Sequence, residues 1–533
     1  MNRRLNVPDT ILEFKESAPG MWWFPTNPEH RCIYRVPHRL RRVSPEAYTP
    51  QLLLIGPLHH SLKFQAFSRG DITNTKLIGY LNMEEHKKIY LARFSERLKG
   101  EKTIDELRGT IEQNEDIIRA SYSESTAWIE SPKFVDMILH DSVFILEFLL
   151  RSNEHQSSLT KKTWDPIFEQ PCLQTTVDED LILLENQLPY FILEKLFDPI
   201  VPRLRQNQTL REIVITYFRF QGNIRDGSRF KHFTDLSRCV RVETLKSKEK
   251  AKSKFRSLAG LFKFARLGAH GSTESVRSHP EGHEAFRMEE ETHGSREPTK
   301  TKFRYIADLF RCVPMETQGS RDTEKSRLER FKTHRMDETR GCKKKKTKPP
   351  IIKHMYSAAK LHNAGVKFKA VTDEFSIDVR FENGCLKIPC LWVPDDAEIT
   401  LRNIMALEQC HYPFQAFVCN FVSFLDFLID TDKDVDLLME NGILNNWGEK
   451  SSVAVAEMVN TLFSGVVESH SCYAGIAYRV NAYYENPFNR SRTILGRQYF
   501  GNLWRGTATV AAALLLVMTL IQTVASVMQV MQK

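Results

Sequence analysis

No Cys-x-x-Cys pair occurs in this 533-residue chain, although it carries ten cysteines. That absence removes the zinc ribbon and the thioredoxin-type redox site. The chain has no His-Glu-x-x-His, no Gly-rich phosphate loop and no Gly-x-Ser-x-Gly elbow, which removes the commonest zinc-protease, nucleotide and α/β-hydrolase signatures. The N-terminus, Met1 to Asp9, has cations but no apolar run behind them, so it does not read as a secretory signal. Free thiols in a reducing compartment are then the expectation for the cysteines, and the sequons at Asn207 and Asn489 would stay unused.

Another absence is charge at the far end. Gly506 to Gln532 is a stretch of 27 residues without one charged side chain, and only Lys533 follows it. A helix needs about 20 apolar residues to cross the hydrocarbon core of a bilayer. The stretch therefore reads as a transmembrane helix at 505–531, with lipid as its partner through residues 506–532. Trp504, Phe500 and Tyr499 suit the aromatic belt at the water–lipid boundary. Arg490, Arg492, Arg497 and Arg505 precede the span, against Lys533 alone beyond it. The excess of cations on the N-terminal side places the bulk of the chain in the cytosol, on a plasma-membrane or endomembrane surface.

The net charge of +9 is also localised. Residues 241–350 hold 28 Lys and Arg against 16 Asp and Glu, so the remainder is slightly acidic. Nucleic acid is therefore not expected as a partner. The tract is poor in branched apolar residues and reads as a disordered basic insertion. It holds partial repeats: Glu291-Thr292-x-Gly294-Ser295-Arg296 recurs as Glu316-Thr317-x-Gly319-Ser320-Arg321. Lys343–Lys346 with Lys348 resemble a nuclear signal; contact with anionic lipid heads fits an anchored chain better, and a merely solvated linker is favoured over both.

Around that tract the pattern is helical. The spacing predicts helices over Lys76–Leu98, Ile104–Tyr122, Phe134–Leu150 and a nearly continuous apolar stretch Phe414–Ile429. Asp178-Glu179-Asp180 reads as the acidic front of a helix that Pro189 must then split. Glu185, Asn186 and Gln187 read as partners for backbone groups freed by that proline. Met355–His362 reads as a short helix stopped by Gly365, and Asp395-x-x-Glu398 as the cap of a long one. Alternating apolar residues around Asn383-Gly384 predict a β-hairpin over 375–391. The fold class expected is mainly α, a multi-helix body with one small hairpin. Its parts are an irregular 1–31, a helical 32–240, the insertion 241–350, a second body part 351–504 and the membrane helix 505–531.

Candidate chemistry is thin. Asp430, Asp432, Asp434 and Asp436 resemble the start of a calcium loop, but Val435 and Asn441 occupy the positions that need Gly and Glu; capping the next helix is the better role. Glu408, Cys410 and His411 place a carboxylate, thiol and imidazole close in sequence, with nothing to orient them. His59-His60 and Glu84-x-His86 lack metalloprotease spacing. No catalytic, cofactor-binding or metal residue is assigned.

The ordered blocks together resemble a large plant family, the domain of unknown function 247, also catalogued as uncharacterised protein family 0481. The matching pieces include Cys32-Ile33-Tyr34-Arg35-Val36-Pro37, Ile55-Gly56-Pro57-Leu58-His59-His60, Met83-Glu84-Glu85-His86-Lys87, Asp180 through Phe197, Phe381 through Pro389 and Arg402 through Cys410. Two departures are a longer central tract and Leu58 where members commonly carry an aromatic. The resemblance implies a mostly helical, membrane-anchored plant protein without an established enzymatic activity. Some grass members are tied to pollen–stigma self-incompatibility, which suggests recognition. The expectation is a membrane-tethered interaction or signalling protein. Its rivals are a hydrolase- or transferase-like enzyme using Cys410/His411 and a soluble nuclear regulator.

Overall fold

Pro37, Pro45, Pro50 and Pro57 keep residues 32–58 out of any long helix, and the end of this irregular segment, 53–58, lies inside the protein. Leu53, Leu54 and Ile55 are completely buried. The computed structural model describes residues 20–22, 28–69, 75–98, 102–156, 165–203, 208–220, 224, 227–243, 351–371, 376–394, 396–445, 450–500 and 503–531. All belong to one unit formed by Met1–Ser257 and Lys348–Lys533. The insertion expected at 241–350 lies outside the described residues, apart from 241–243, which continue a helix.

The principal helices before that gap are α1 (His60–Arg69), α2 (Thr75–Leu98), α3 (Lys102–Gln113), α4 (Ser131–Gln156), α5 (Pro171–Ile182), α6 (Tyr190–Phe197), α7 (Leu210–Tyr217) and α8 (233–243). The helix expected over Ile104–Tyr122 is broken at Asn114, and a separate turn of helix follows over Glu115–Ala120. Helix α4 supplies the centre of the core: Phe134, Ile138, Leu139, Val143, Phe144 and Leu146 are fully buried. Tyr90, Phe144, Phe148 and Phe168 form a ladder of stacked rings with centroids 5.1, 6.0 and 5.4 Å apart.

After the gap come α9 (Ala358–Asn363), strands β1 (Lys367–Val371), β2 (Arg380–Glu382), β3 (Cys385–Pro389) and β4 (Leu391–Trp392), α10 (Ala397–His411), α11 (Phe417–Leu428), α12 (Asp432–Glu440), β5 (Leu444–Asn445), α13 (Ser452–Leu462), α14 (Ala474–Glu485), α15 (Pro487–Phe500) and α16 (Leu503–Met531). The hairpin is real but shorter than 375–391. It pairs Arg380–Glu382 with Cys385–Lys387. Asn383 and Gly384 both have positive φ, 51° and 73°, as a tight primed turn demands. Tyr483 packs where a Cβ on Gly384 would sit, 2.7–2.9 Å away. Leu391-Trp392 leaves the hairpin and pairs in parallel with Leu444-Asn445. Strand β1, unforeseen, adds in parallel to the other edge of β3.

Two further expectations need correction. Asp178-Glu179-Asp180 does not open a helix; it occupies the last turns of α5, whose first residue is Pro171. The acids are tolerated at that end because other segments use them. The Asp395–Glu398 box does not form either. The N-cap is Asp396 without a side-chain bond, Asp395 lies outside the described residues, and Glu398 instead accepts from Arg402 Nε at 2.8 Å. Gly365 does end α9, at φ 93°, and Asp434 does cap α12, in a reciprocal pair with Thr431.

Each side of the gap has its own apolar core, the first centred on α4 and the second on α10 and α11. A small third cluster joins them, with Val36, Leu40, Tyr48 and Leu184 against Ala406 and Leu407. Helix α16 takes no part in either core. Thr507–Gln529 has a mean hydropathy of 2.2 and none of it is buried; it is the one helix among the described residues long and apolar enough to cross a membrane.

Candidate functional site

A buried chain segment without a sheet partner must find its hydrogen bonds elsewhere, because each unpaired backbone group costs about 1–3 kcal/mol. Residues 47–58 find them in side chains. Asp180 accepts from the N–H groups of Gln51, Leu52 and Leu53 at 2.8, 2.8 and 2.7 Å. Asn186 accepts from Ile55 N at 2.6 Å and donates to Leu53 O at 2.9 Å. Asp141 accepts from Gly56 N at 2.8 Å, Tyr80 donates to Pro50 O at 2.6 Å, and Asn403 donates to Ala47 O at 2.7 Å.

The cluster Glu185-Asn186-Gln187 is therefore structural, and broader in reach than the proline alone requires. Asn186 and Gln187 do satisfy the carbonyls of Asp180, Leu181 and Leu183 where α5 ends. Glu185 reaches further. It accepts from Val36 N at 2.6 Å and pairs with Arg35 at 3.0 Å and Arg41 at 2.7 Å. Arg35 is shared with Glu124 at 2.7 Å, so the block Arg35-Val36-Pro37 is fastened to two connecting segments at once, one around Glu124 and one around Glu185.

A charged cluster lies beside this segment. Lys87 Nζ donates to Asp141 and Glu84 at 2.6 Å each and to Leu54 O at 2.5 Å. Lys63 approaches the same carboxylates less closely, at 3.3 Å from Asp141 and 3.4 Å from Glu84. Burial alone would lower the Lys87 pKa, but the two carboxylates outweigh it and raise it. For Lys63 burial wins and the pKa falls. Asp141, held by both cations and by Gly56 N–H, stays below the usual aspartate value despite its burial. A cavity of about 230 Å³ opens next to the cluster, lined by His60, Lys63, Glu84 and His140.

The histidines and glutamate weighed as metal ligands turn to different partners. His59 is buried, and burial drives its pKa well below the ordinary histidine value. Glu84 faces Lys87, whereas His86 faces Asp165 at 3.4 Å. Among the described residues no three His, Cys, Asp or Glu side chains are grouped to hold a metal.

Cys410 and His411 do not form a catalytic pair with Glu408. Glu408 points the other way: it accepts from Arg238 Nε and Cys419 N at 2.9 Å each. His411 Nδ1 is 2.8 Å from the Tyr34 hydroxyl, and burial lowers its pKa to about 4. Burial also pushes the Cys410 thiol up to about 12. A nucleophilic thiol needs the opposite shift. Neither residue lines the cavity beside Lys63.

The comparisons with known proteins agree with the blocks noted in the sequence. The family described as "Plant protein of unknown function" (DUF247) matches residues 33–518. The UPF0481 protein At3g47200 of Arabidopsis thaliana is 23% identical over 517 residues, covering 94% of this chain and 87% of its own. The putative UPF0481 protein At3g02645 of the same plant is 28% identical over 180 residues, 33% of this chain and 34% of its own. No solved structure matches. With nearly its whole length matched by the family's pattern, the chain belongs to the plant DUF247 family.

Proposed function

We propose that this is a single-pass, membrane-anchored recognition component whose helical body works in the cytosol. One observation carries the reading. Helix α16 runs for 29 residues, and 23 of them, Thr507–Gln529, combine high hydropathy with the absence of any buried residue. Leu514, Leu516 and Leu520 are each at least 60% exposed. At about 25 cal/mol per Å² of apolar surface, such a helix is strongly driven into lipid. The asymmetry of arginines around the span supports a cytosolic body. The basic tract 241–350 would add contact with anionic headgroups, at about 1 kcal/mol per cation near the surface, and the helical surface would bind protein partners.

The enzymatic rival draws little support from the geometry, because its thiol is raised and its imidazole is engaged by a tyrosine. The test is proximity labelling from a ligase fused to the N-terminus of the full chain. Expected is a set of cytosolic-face membrane proteins that disappears when Thr507–Gln529 is deleted. An unchanged set after deletion contradicts the proposal.

A further inference from the structure

Helix α15 starts on two local signals. Asn486 Oδ1 accepts from Phe488 N at 3.0 Å, and Pro487 takes the first helical position, where a missing N–H costs nothing. Only residues 501 and 502 separate its end from α16. A surface helix ordinarily buries its apolar stripe and shows its polar one. At its described positions α15 does the reverse. Asn489 and Thr493, one turn apart, face the body. Asn489 Nδ2 donates to Tyr483 O on α14 at 3.2 Å, and Thr493 Oγ1 donates to Ala364 O at the end of α9 at 3.3 Å. Thr493 also fills the space that a Cβ on Gly365 would need. At about 100° per residue, the opposite side of the helix carries Phe488, Ser491 and Ile494. All three are exposed, Phe488 by 73% and Ile494 by 48%.

Charge and chain continuity say what covers this face. From Asn486 to Lys533 the sequence has no Asp or Glu, while Arg490, Arg492, Arg497 and Arg505 precede the span. Arg490 is exposed on the same helix as Phe488 and Ile494. Apolar side chains among cations, without an acid, are the make-up of a helix that lies in the headgroup layer of an anionic leaflet. The neighbouring α16, joined by two residues, has none of Thr507–Gln529 buried in the body.

We propose that the outward face of α15 rests on the bilayer surface, with Phe488 and Ile494 entering the boundary between headgroups and acyl chains and Arg490 pairing with anionic lipid. Asn489 and Thr493 tie the same helix to α14 and α9, so this contact holds the body against the membrane instead of leaving it on a free tether. The inference rests on reading α16 as a span; it adds a surface contact separate from the tract 241–350.

The test places a photocrosslinker in the full chain, Phe488→benzoylphenylalanine or Ile494→benzoylphenylalanine, both at exposed positions. The chain is reconstituted into phosphatidylcholine vesicles with or without phosphatidylserine, irradiated, and the labelled peptide read by mass spectrometry. Expected are phospholipid adducts at both positions, more abundant with phosphatidylserine. Arg490→Gln lowers that excess about fivefold, the weight of one cation near an anionic surface. A chain that enters the vesicles but gives no lipid adduct at either position overturns this inference alone, as does a yield indifferent to phosphatidylserine and to Arg490→Gln. A protein adduct in place of the lipid one, in membranes from expressing cells, also overturns it and assigns the face to a partner chain. A chain that does not enter vesicles at all overturns the reading of α16, and this inference with it.

Discussion

Asp141 lies 2.6 Å from the Nζ of Lys87, and neither side chain has any exposed surface. Removing one partner of such a pair leaves the other charge buried and uncompensated, at about 3–5 kcal/mol. Asp141→Ala should therefore cost about that much stability, read from the urea midpoint of the full chain. The pH dependence follows from the direction of the shift. A depressed carboxylate contributes its full stability above the unfolded aspartate value, about 3.9, and loses it as pH falls toward the native value. The wild-type advantage over Asp141→Ala should hold from pH 7 to about pH 5 and shrink on further acidification. A constant gap down to pH 2 would show that the carboxylate is not what stabilises the cluster.

Gly56 predicts a second loss. Its φ is +72°, and an added Cβ would sit 2.8 Å from the carbonyl oxygen of Gln187. Both the left-handed backbone and the clash with a fixed main-chain atom oppose any side chain there. Gly56→Ala should destabilise the protein by about 2 kcal/mol or more. A neutral result in thermal unfolding would mean that this turn is not held as described.

The pair Arg238–Glu408 links α8, ahead of the central gap, to α10 beyond it, with side chains 4% and 0% exposed. Glu408 also accepts from Val418 N and Cys419 N at the start of α11. Glu408→Ala should cost about 3–5 kcal/mol, whereas a catalytic carboxylate would often be replaceable with little loss of stability. Equal unfolding midpoints for the two chains would reopen a functional role for Glu408.

Thiol chemistry separates Cys410 from the exposed Cys172 and Cys472. Its pKa is pushed up to about 12, so almost no thiolate forms at neutral pH. Cys172 and Cys472 are exposed. Brief iodoacetamide treatment of the native chain should modify Cys172 and Cys472 and leave Cys410 intact until denaturant is added. Preferential labelling of Cys410 would restore the enzyme reading.

Much of the fold is legible in the sequence, for definite reasons. Asn383-Gly384 marks the hairpin because few residue pairs tolerate two positive φ values. Gly506–Gln532 marks the long helix by length and lack of charge. The charged cluster is not assigned there, because Lys63 and Lys87 are 78 and 54 residues from Asp141 and meet it only in the tertiary fold. A signal is nevertheless present. Lys87 interrupts the buried stripe Tyr80, Met83, Tyr90, Phe94, and Asp141 interrupts Met137, Ile138 and Ile145. Opposite charges on the apolar stripes of two helices call for each other, since neither is tolerated inside alone. The acids Asp178–Asp180 mislead because propensity places them at a helix front, whereas Asp180 serves the backbone of a segment some 130 residues earlier.

The central claim is that α16 belongs in lipid. Membranes from cells expressing the full chain should be washed with alkaline carbonate and floated on a density gradient, beside a chain ending at Gly506. The account predicts that the full chain floats with the lipid and resists the wash, while the shortened chain stays in the supernatant. A full chain that remains soluble without detergent would contradict it.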